Sequence, residues 1–258
     1  MDWYFLYPLI IFAGFCTGYV NTLAGSGAAF SLIALNTVGL PLDVANATTR
    51  VGILFNTATA VCRFKKHGIY EPKKAITLAI PTICGSLIGV FIAVFMSPGN
   101  LKFAIGIVMI VILATLLWKP KAWLEGKKSE HIELKLTPVK YVGYFLIGIY
   151  GGFIQVGTGV FLLTALVLFS GIDLLRANSI KVIIIFSYTA LVIIIFAFSN
   201  LINWELGIIM AIGNVLGAWV AAKHAAEKGA EFVRILLIII VAAAGLHYLG
   251  IFKLIFFA

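Results

Sequence analysis

Two cations stand in stretches that are otherwise apolar. Arg50 lies a few residues into a charge-poor run from Val44 to Cys62, and Lys181 starts another from Ile180 to Phe198. Each follows a polar turn. A charge held that deep in lipid costs about 3 kcal/mol or more unless it is paired or wetted, so by default it marks a pathway or a binding site. The alternative is a long side chain that snorkels to the nearest interface. Glycine triplets supply a second ingredient: Gly25, Ser26 and Gly27 in one half of the chain, and Gly157, Thr158 and Gly159 in the other. Where a helix breaks and restarts, backbone N–H groups and the positive end of the dipole face the gap, which favours an oxyanion. Asn21 and Thr22 beside the first triplet, and Gln155 beside the second, add neutral donors. Glycines of this kind also serve helix packing in membranes, and that reading stands beside the first.

Further donors lie one or two turns from the cations: Asn46, Thr48, Thr49 and Asn56 on one stretch, Asn178, Ser179 and Ser187 on the other. Ser and Thr often bond their own helix backbone. Asn56 carries more weight, because an amide near mid-span needs a partner. Asp43 and Asp173 read as N-caps, and Pro72 after Glu71 as a helix start. Gly85 with Gly89, and Gly213 with Gly217, read as packing positions.

The elements that must position these residues follow from composition. Of 258 residues, 62% are hydrophobic and 11% charged, too few to coat a soluble globule. The expectation is an all-α integral membrane protein. The net charge of +9 belongs to loops that set orientation, not to nucleic-acid binding. An acidic Asp2 and apolar character far past position 30 argue against a cleaved signal, so the first segment is expected to be mature structure. Eight apolar segments can be drawn: Trp3 to Val38, Val44 to Cys62, Ala75 to Met96, Leu101 to Trp118, Tyr141 to Phe169, Ile180 to Phe198, Leu206 to Ala222 and Phe232 to Phe252. The polar stretch 119–140 reads as a cytoplasmic loop joining a first repeat, 1–118, to a second, 141–258.

The repeat rests on polar and glycine landmarks in one order. Gly25-Ser26-Gly27 returns as Gly157-Thr158-Gly159, the run Arg50 to Asn56 as Lys181 to Ser187, and Gly85/Gly89 as Gly213/Gly217, at separations of 132, 131 and 128 residues. Trp3 to Val38 would make about 54 Å of helix against a hydrocarbon core of about 30 Å. Segments one and five are therefore expected to be broken or re-entrant at Gly-x-Gly. Loop charges bear on topology. Eight full crossings leave Lys102, Arg176, Lys223, Lys228 and Arg234 on the face opposite the other loop cations. If segments one and five enter and return, only Lys102 and Lys253 lie opposite the other loop cations. The positive-inside rule prefers the second arrangement, an inverted repeat with both termini outside. Equivalent residues of such repeats can face one midplane cavity.

Other chemistry finds little footing. No acidic residue lies at the centre of an apolar segment, so the buried carboxylate relay of many proton-driven pumps is not visible. His67, His131 and His224 read as loop residues, and His247 alone falls in a span. Cys16, Cys62 and Cys84 are scattered and read as small buried hydrophobes. No metal site, nucleotide fingerprint or other cofactor is expected. Homo-oligomer formation stays open, since glycine-rich faces serve internal packing equally well.

The run Gly18-Tyr19-Val20-Asn21-Thr22-Leu23-Ala24-Gly25-Ser26-Gly27, the Gly39-Leu40-Pro41 turn before Ala47-Thr48-Thr49-Arg50, and the glycines from Gly148 to Gly159 resemble the sulfite exporter TauE/SafE family of membrane transporters. The resemblance spans nearly the whole chain. The family typically shows a run of glycines where this chain has Gly25-Ser26-Gly27-Ala28. The resemblance implies movement of small sulfur-containing anions, sulfite or organosulfonates, across the plasma membrane, with the paired glycine-rich breaks lining the route. The residues themselves point to an anion without identifying sulfur. The leading expectation is a secondary anion transporter or facilitator and not an enzyme. Two other classes compete with it: a non-transporting membrane subunit, and an intramembrane hydrolase using Ser26 and His247.

Overall fold

A computed structural model describes residues 3–97, 99–100, 103–104 and 137–248, with side chains as far as Glu227. Segment four apart from residues 103–104, nearly all of the 119–140 loop with His131, and the side chain of His247 lie outside the described residues. Every regular element described is a helix: α1 Trp3–Leu23, α2 Ala28–Thr37, α3 Leu42–Lys66, α4 Pro72–Phe95, α5 Pro138–Phe153, α6 Thr158–Thr164 continued by a wider turn over Ala165–Phe169, α7 Leu174–Phe198 and α8 Trp204–Tyr248. Among the described residues four helices are long and apolar enough to cross a membrane: α1 over Tyr4–Leu23, α4, α7 and the Trp204–Glu227 part of α8. Their outer surface carries Phe12, Ile76, Ile80, Phe91, Ile194, Ile212 and Trp219, an apolar exterior suited to lipid.

The first apolar segment is a helical hairpin. α1 stops at Leu23 and α2 doubles back along it, with the hydroxyls of Thr17 and Ser31 2.7 Å apart. Gly25 makes the reversal at φ 81°, a left-handed conformation that an L side chain rarely adopts. The fifth segment repeats the design. α5 ends at Phe153, Gly157 turns at φ 77°, and the returning α6 brings Phe161 edge-on to Tyr150 and Ser170 within 3.2 Å of Tyr144 Oη.

Each hairpin seats its first helix on the last described helix of the other half, glycine against backbone. A Cβ on Gly14 or Gly18 would lie 2.3 or 2.2 Å from the carbonyl oxygens of Met210 and Asn214 in α8, and one on Gly213 or Gly217 1.9 or 2.2 Å from those of Ile11 and Phe15 in α1. Gly85 and Gly89 of α4 meet Phe145 and Ile149 of α5 in the same way, as Gly148 and Gly152 of α5 meet Thr82 and Ser86. Lipid gives helices no hydrophobic reason to associate, so such close backbone approach supplies the dispersion contact that holds them. The two halves are interlocked.

The structure corrects several local expectations. Segments seven and eight form one helix, α8, through 223–231. The Lys, His and Glu there end the apolar run, but Ala, Lys and Glu are strong helix formers and the backbone continues. His224 is therefore helical, and its Nδ1 lies 2.9 Å from Tyr19 Oη. Asp173 caps α7, accepting from the N–H groups of Leu175 and Arg176. Asp43 does not cap α3, because that helix begins at Leu42 directly after Pro41 and Asp43 falls in its first turn. Cys62 and Cys84 are exposed and Cys16 half-buried, on helix faces turned to the apolar exterior.

Candidate functional site

The tips of the two hairpins touch. The N–H of Gly159 donates to Gly25 O at 3.1 Å, and a Cβ on either glycine would lie 2.4 Å from the other's Cα. Only two bare backbones approach so closely. The end of each hairpin's first helix therefore lies beside this joint, and a helix C-terminus leaves carbonyl groups without intrahelical partners.

The two cations fill that need across the halves. Arg50, wholly buried on α3, donates from Nη1 to Gly151 O at 2.6 Å and to Gln155 Oε1, and from Nη2 to Gly152 O at 3.1 Å. Its guanidinium stands 5.6 Å from the Phe196 ring centroid. Lys181, equally buried on α7, donates from Nζ to the carbonyls of Asn21 and Thr22, both at 3.0 Å. A cation at a helix C-terminus meets the negative end of the dipole. Sequence reasoning faced these charges toward one midplane cavity; the structure sets them on the carbonyl ends of the helices that precede the breaks. Both side chains stay inside the protein, so neither snorkels. Among the described residues the salt bridges join Glu71 to Lys74 and Arg176, Arg176 to Asp173, and Lys223 to Glu227, all at exposed or half-buried positions. Neither Arg50 nor Lys181 is in one.

The remaining sequence-predicted residues divide into those gathered here and those held elsewhere. Asn56 is fully buried, donating to Gly18 O at 2.9 Å and to Thr22 Oγ1 at 3.1 Å while accepting from Asn21 Nδ2 at 3.1 Å. Gln155 donates to Tyr188 Oη at 2.9 Å, and Thr158 to Ile154 O at 3.2 Å. Gly27 packs against Thr17 O at the root of α2. Asn178 is buried on α7 with neither amide atom partnered, and Ser26 Oγ in the first break is likewise buried and unpartnered. Thr48 is not brought to the breaks: its hydroxyl accepts from Asn203 N–H, in the turn before α8, at 3.0 Å. Ser187, which the sequence spacing matches to Asn56, bonds Ile183 O of its own helix at 2.8 Å.

Sequence reasoning passed over Tyr188 and Tyr150. Tyr188 is fully buried beside Gln155, seven residues past Lys181 and so on the same helix face, a spacing that could have flagged it. Tyr150 donates to Val156 O and steadies the second turn. Asn46, one turn before Arg50, holds the last carbonyl of α5 through a 3.0 Å bond to Phe153 O.

The family described as Sulfite exporter TauE/SafE matches residues 10–248, which takes in both hairpins, both cations and both glycine seams. The chain belongs to the sulfite exporter TauE/SafE family. Its TauE/SafE membership agrees with three relatives, each similar along nearly all of its length. A Sinorhizobium protein named "Probable membrane transporter protein ORF9" is 26% identical, covering 95% of this chain and 93% of that protein. The Bacillus subtilis "Probable membrane transporter protein YunE" is 25% identical, covering 96% and 99%. The Escherichia coli K12 "Probable membrane transporter protein YfcA" is 22% identical, covering 92% and 87%. No solved structure matches. This TauE/SafE chain is thus a multi-pass membrane protein of a transporter family.

Proposed function

We propose that this protein is a secondary transporter or facilitator that moves small sulfur-containing anions, sulfite or organosulfonates, across the plasma membrane through a midplane site where the two hairpin tips meet. The observation that carries the reading is the burial of Arg50 and Lys181 without a carboxylate partner among the described residues. Helix-end carbonyls supply only partial negative charge, so the site keeps a positive potential that a small anion would complete. The family name supplies the sulfur chemistry. Asn21, Thr22, Asn56, Gln155 and Thr158 shape the polar wall, and the glycines let a ligand approach the backbone.

Hairpin geometry supports a re-entrant, inverted arrangement, and the positive-inside rule puts the N-terminus outside. The unbroken α8 has no turn between segments seven and eight for a return crossing, so the expectation of a C-terminus outside falls away. The returning α2 has ten residues, about 15 Å, too short to cross a core of about 30 Å alone. Hairpins entering from opposite faces would bring their tips together at mid-depth. In a chain whose three cysteines are replaced by serine, Leu40→Cys is expected to react with an impermeant thiol reagent from the side that bears the N-terminus. Labelling from the other side would overturn this topology.

Transport itself is tested with purified protein in liposomes. Wild type is expected to show saturable sulfite or methanesulfonate flux, and Lys181→Gln to lose it while remaining folded. No flux from wild type with either anion refutes the proposal.

A further inference from the structure

We infer that the anion seat is one-sided: Asn178 and Lys181 of α7, with Ser26 of the first break, contact the ligand, while Arg50 and Asn46 hold the second break in shape. This rests on the transport reading above and assigns its ligand-selecting residues. Around the second break the polar side chains are engaged. Asn46 holds Phe153 O, Gln155 accepts from Arg50 and donates to Tyr188, Thr158 donates to Ile154 O, and Arg50 makes three bonds, leaving its Nε.

The first break differs. Lys181 gives two of its three N–H groups to Asn21 and Thr22, so one remains. Three positions earlier on the same face, Asn178 is 0% exposed with both Nδ2 and Oδ1 unpartnered. Ser26 Oγ, within the break and four residues past Thr22, is also buried and unpartnered. Buried polar groups are nearly always hydrogen-bonded, and one left unpaired costs stability. An amide with both ends open asks for a ligand that accepts and donates together.

That requirement selects a chemical class. The Lys181 ammonium, Asn178 N–H and Ser26 O–H each need an acceptor oxygen, whereas Asn178 Oδ1 needs a donor. A small monoprotonated oxyanion such as hydrogensulfite offers several acceptor oxygens and one acidic hydrogen. Methanesulfonate offers acceptors only. The seat therefore favours the former, and Arg50 contributes through its field and through the shape of the facing wall.

The test compares Asn178→Ala, Asn178→Asp and Asn46→Ala in proteoliposomes, with sulfite as the transported probe, methanesulfonate as competitor, and melting temperature in detergent as a parallel readout. Asn178→Ala is expected to raise the half-saturating sulfite concentration tenfold or more, to lose the preference over methanesulfonate, and to melt at or above the wild-type temperature. Asn178→Asp places a carboxylate beside Lys181, and is expected to abolish sulfite flux while melting higher. Asn46→Ala is expected to melt several degrees lower with half-saturation within twofold of wild type. A half-saturation of Asn178→Ala within twofold of wild type overturns the inference alone. So does a clear drop in its melting temperature, which would make Asn178 a structural residue. Absence of saturable wild-type flux overturns the transport reading and this inference together.

Discussion

At the second break Arg50 divides three hydrogen bonds among Gly151, Gly152 and Gln155, whereas at the first break Lys181 makes two, to Asn21 and Thr22, and its neighbour Asn178 makes none. The frames are alike: a glycine turn at positive φ, a first helix seated on the far half by glycines, and a cation lent across to the exposed carbonyls. The side chains that finish each frame are not. A guanidinium is a planar fork of five donors that can brace several acceptors at once, while an ammonium is a compact point charge on a flexible stem. Repetition of a backbone plan thus leaves room for one copy to become a brace and the other a seat.

The most severe way to break this comparison is Arg50→Leu. It leaves three buried acceptors unpaired at about 1–3 kcal/mol each, a large share of a typical stability of about 5–15 kcal/mol. No monodisperse protein is expected on size exclusion in detergent, and a variant that melts like wild type would remove the brace. Next in size is Gly159→Ala, which drives a Cβ to 2.4 Å from Gly25 Cα. It is expected to cost about 1–3 kcal/mol by thermal melting, whereas Gly143→Ala, with nothing within 4 Å, should change little. Asn56→Ala removes a three-way amide contact and is expected to cost about 1–2 kcal/mol, near the upper end for polar contacts between membrane helices. Its repeat counterpart gives the smallest effect: Ser187→Ala should stay within about 0.5 kcal/mol of wild type. Equal costs for Asn56 and Ser187 would argue that the halves are finished alike after all.

Membrane class and family were legible because they rest on composition and on glycines whose spacing survives in a greasy background. That Arg50 and Lys181 would need partners was legible too, since a cation among Ile and Val is costly wherever it ends up. Which atoms they would meet was not. Gly151 O and Asn21 O are backbone groups of distant sequence, exposed only because a helix ends there. Ser187 was misplaced because repeat equivalence fixes a position on a helix but not a rotamer, and its hydroxyl turned to Ile183 O. The unbroken α8 was hidden by reading charge as a boundary, when charge ends a lipid-compatible run without ending the hydrogen-bond ladder.

The glycine seam between α1 and α8 joins Gly14 to residues that the ribosome adds about 200 positions later. At about 5–20 residues per second, the first helix waits roughly 10–40 s before its permanent neighbour exists. Through that interval its notched face borders lipid or a temporary occupant, and a chain cut short before residue 210 can never close it. Biogenesis of this protein is accordingly gated by α8: a helix made about 200 residues before its partner is among the last to find its place.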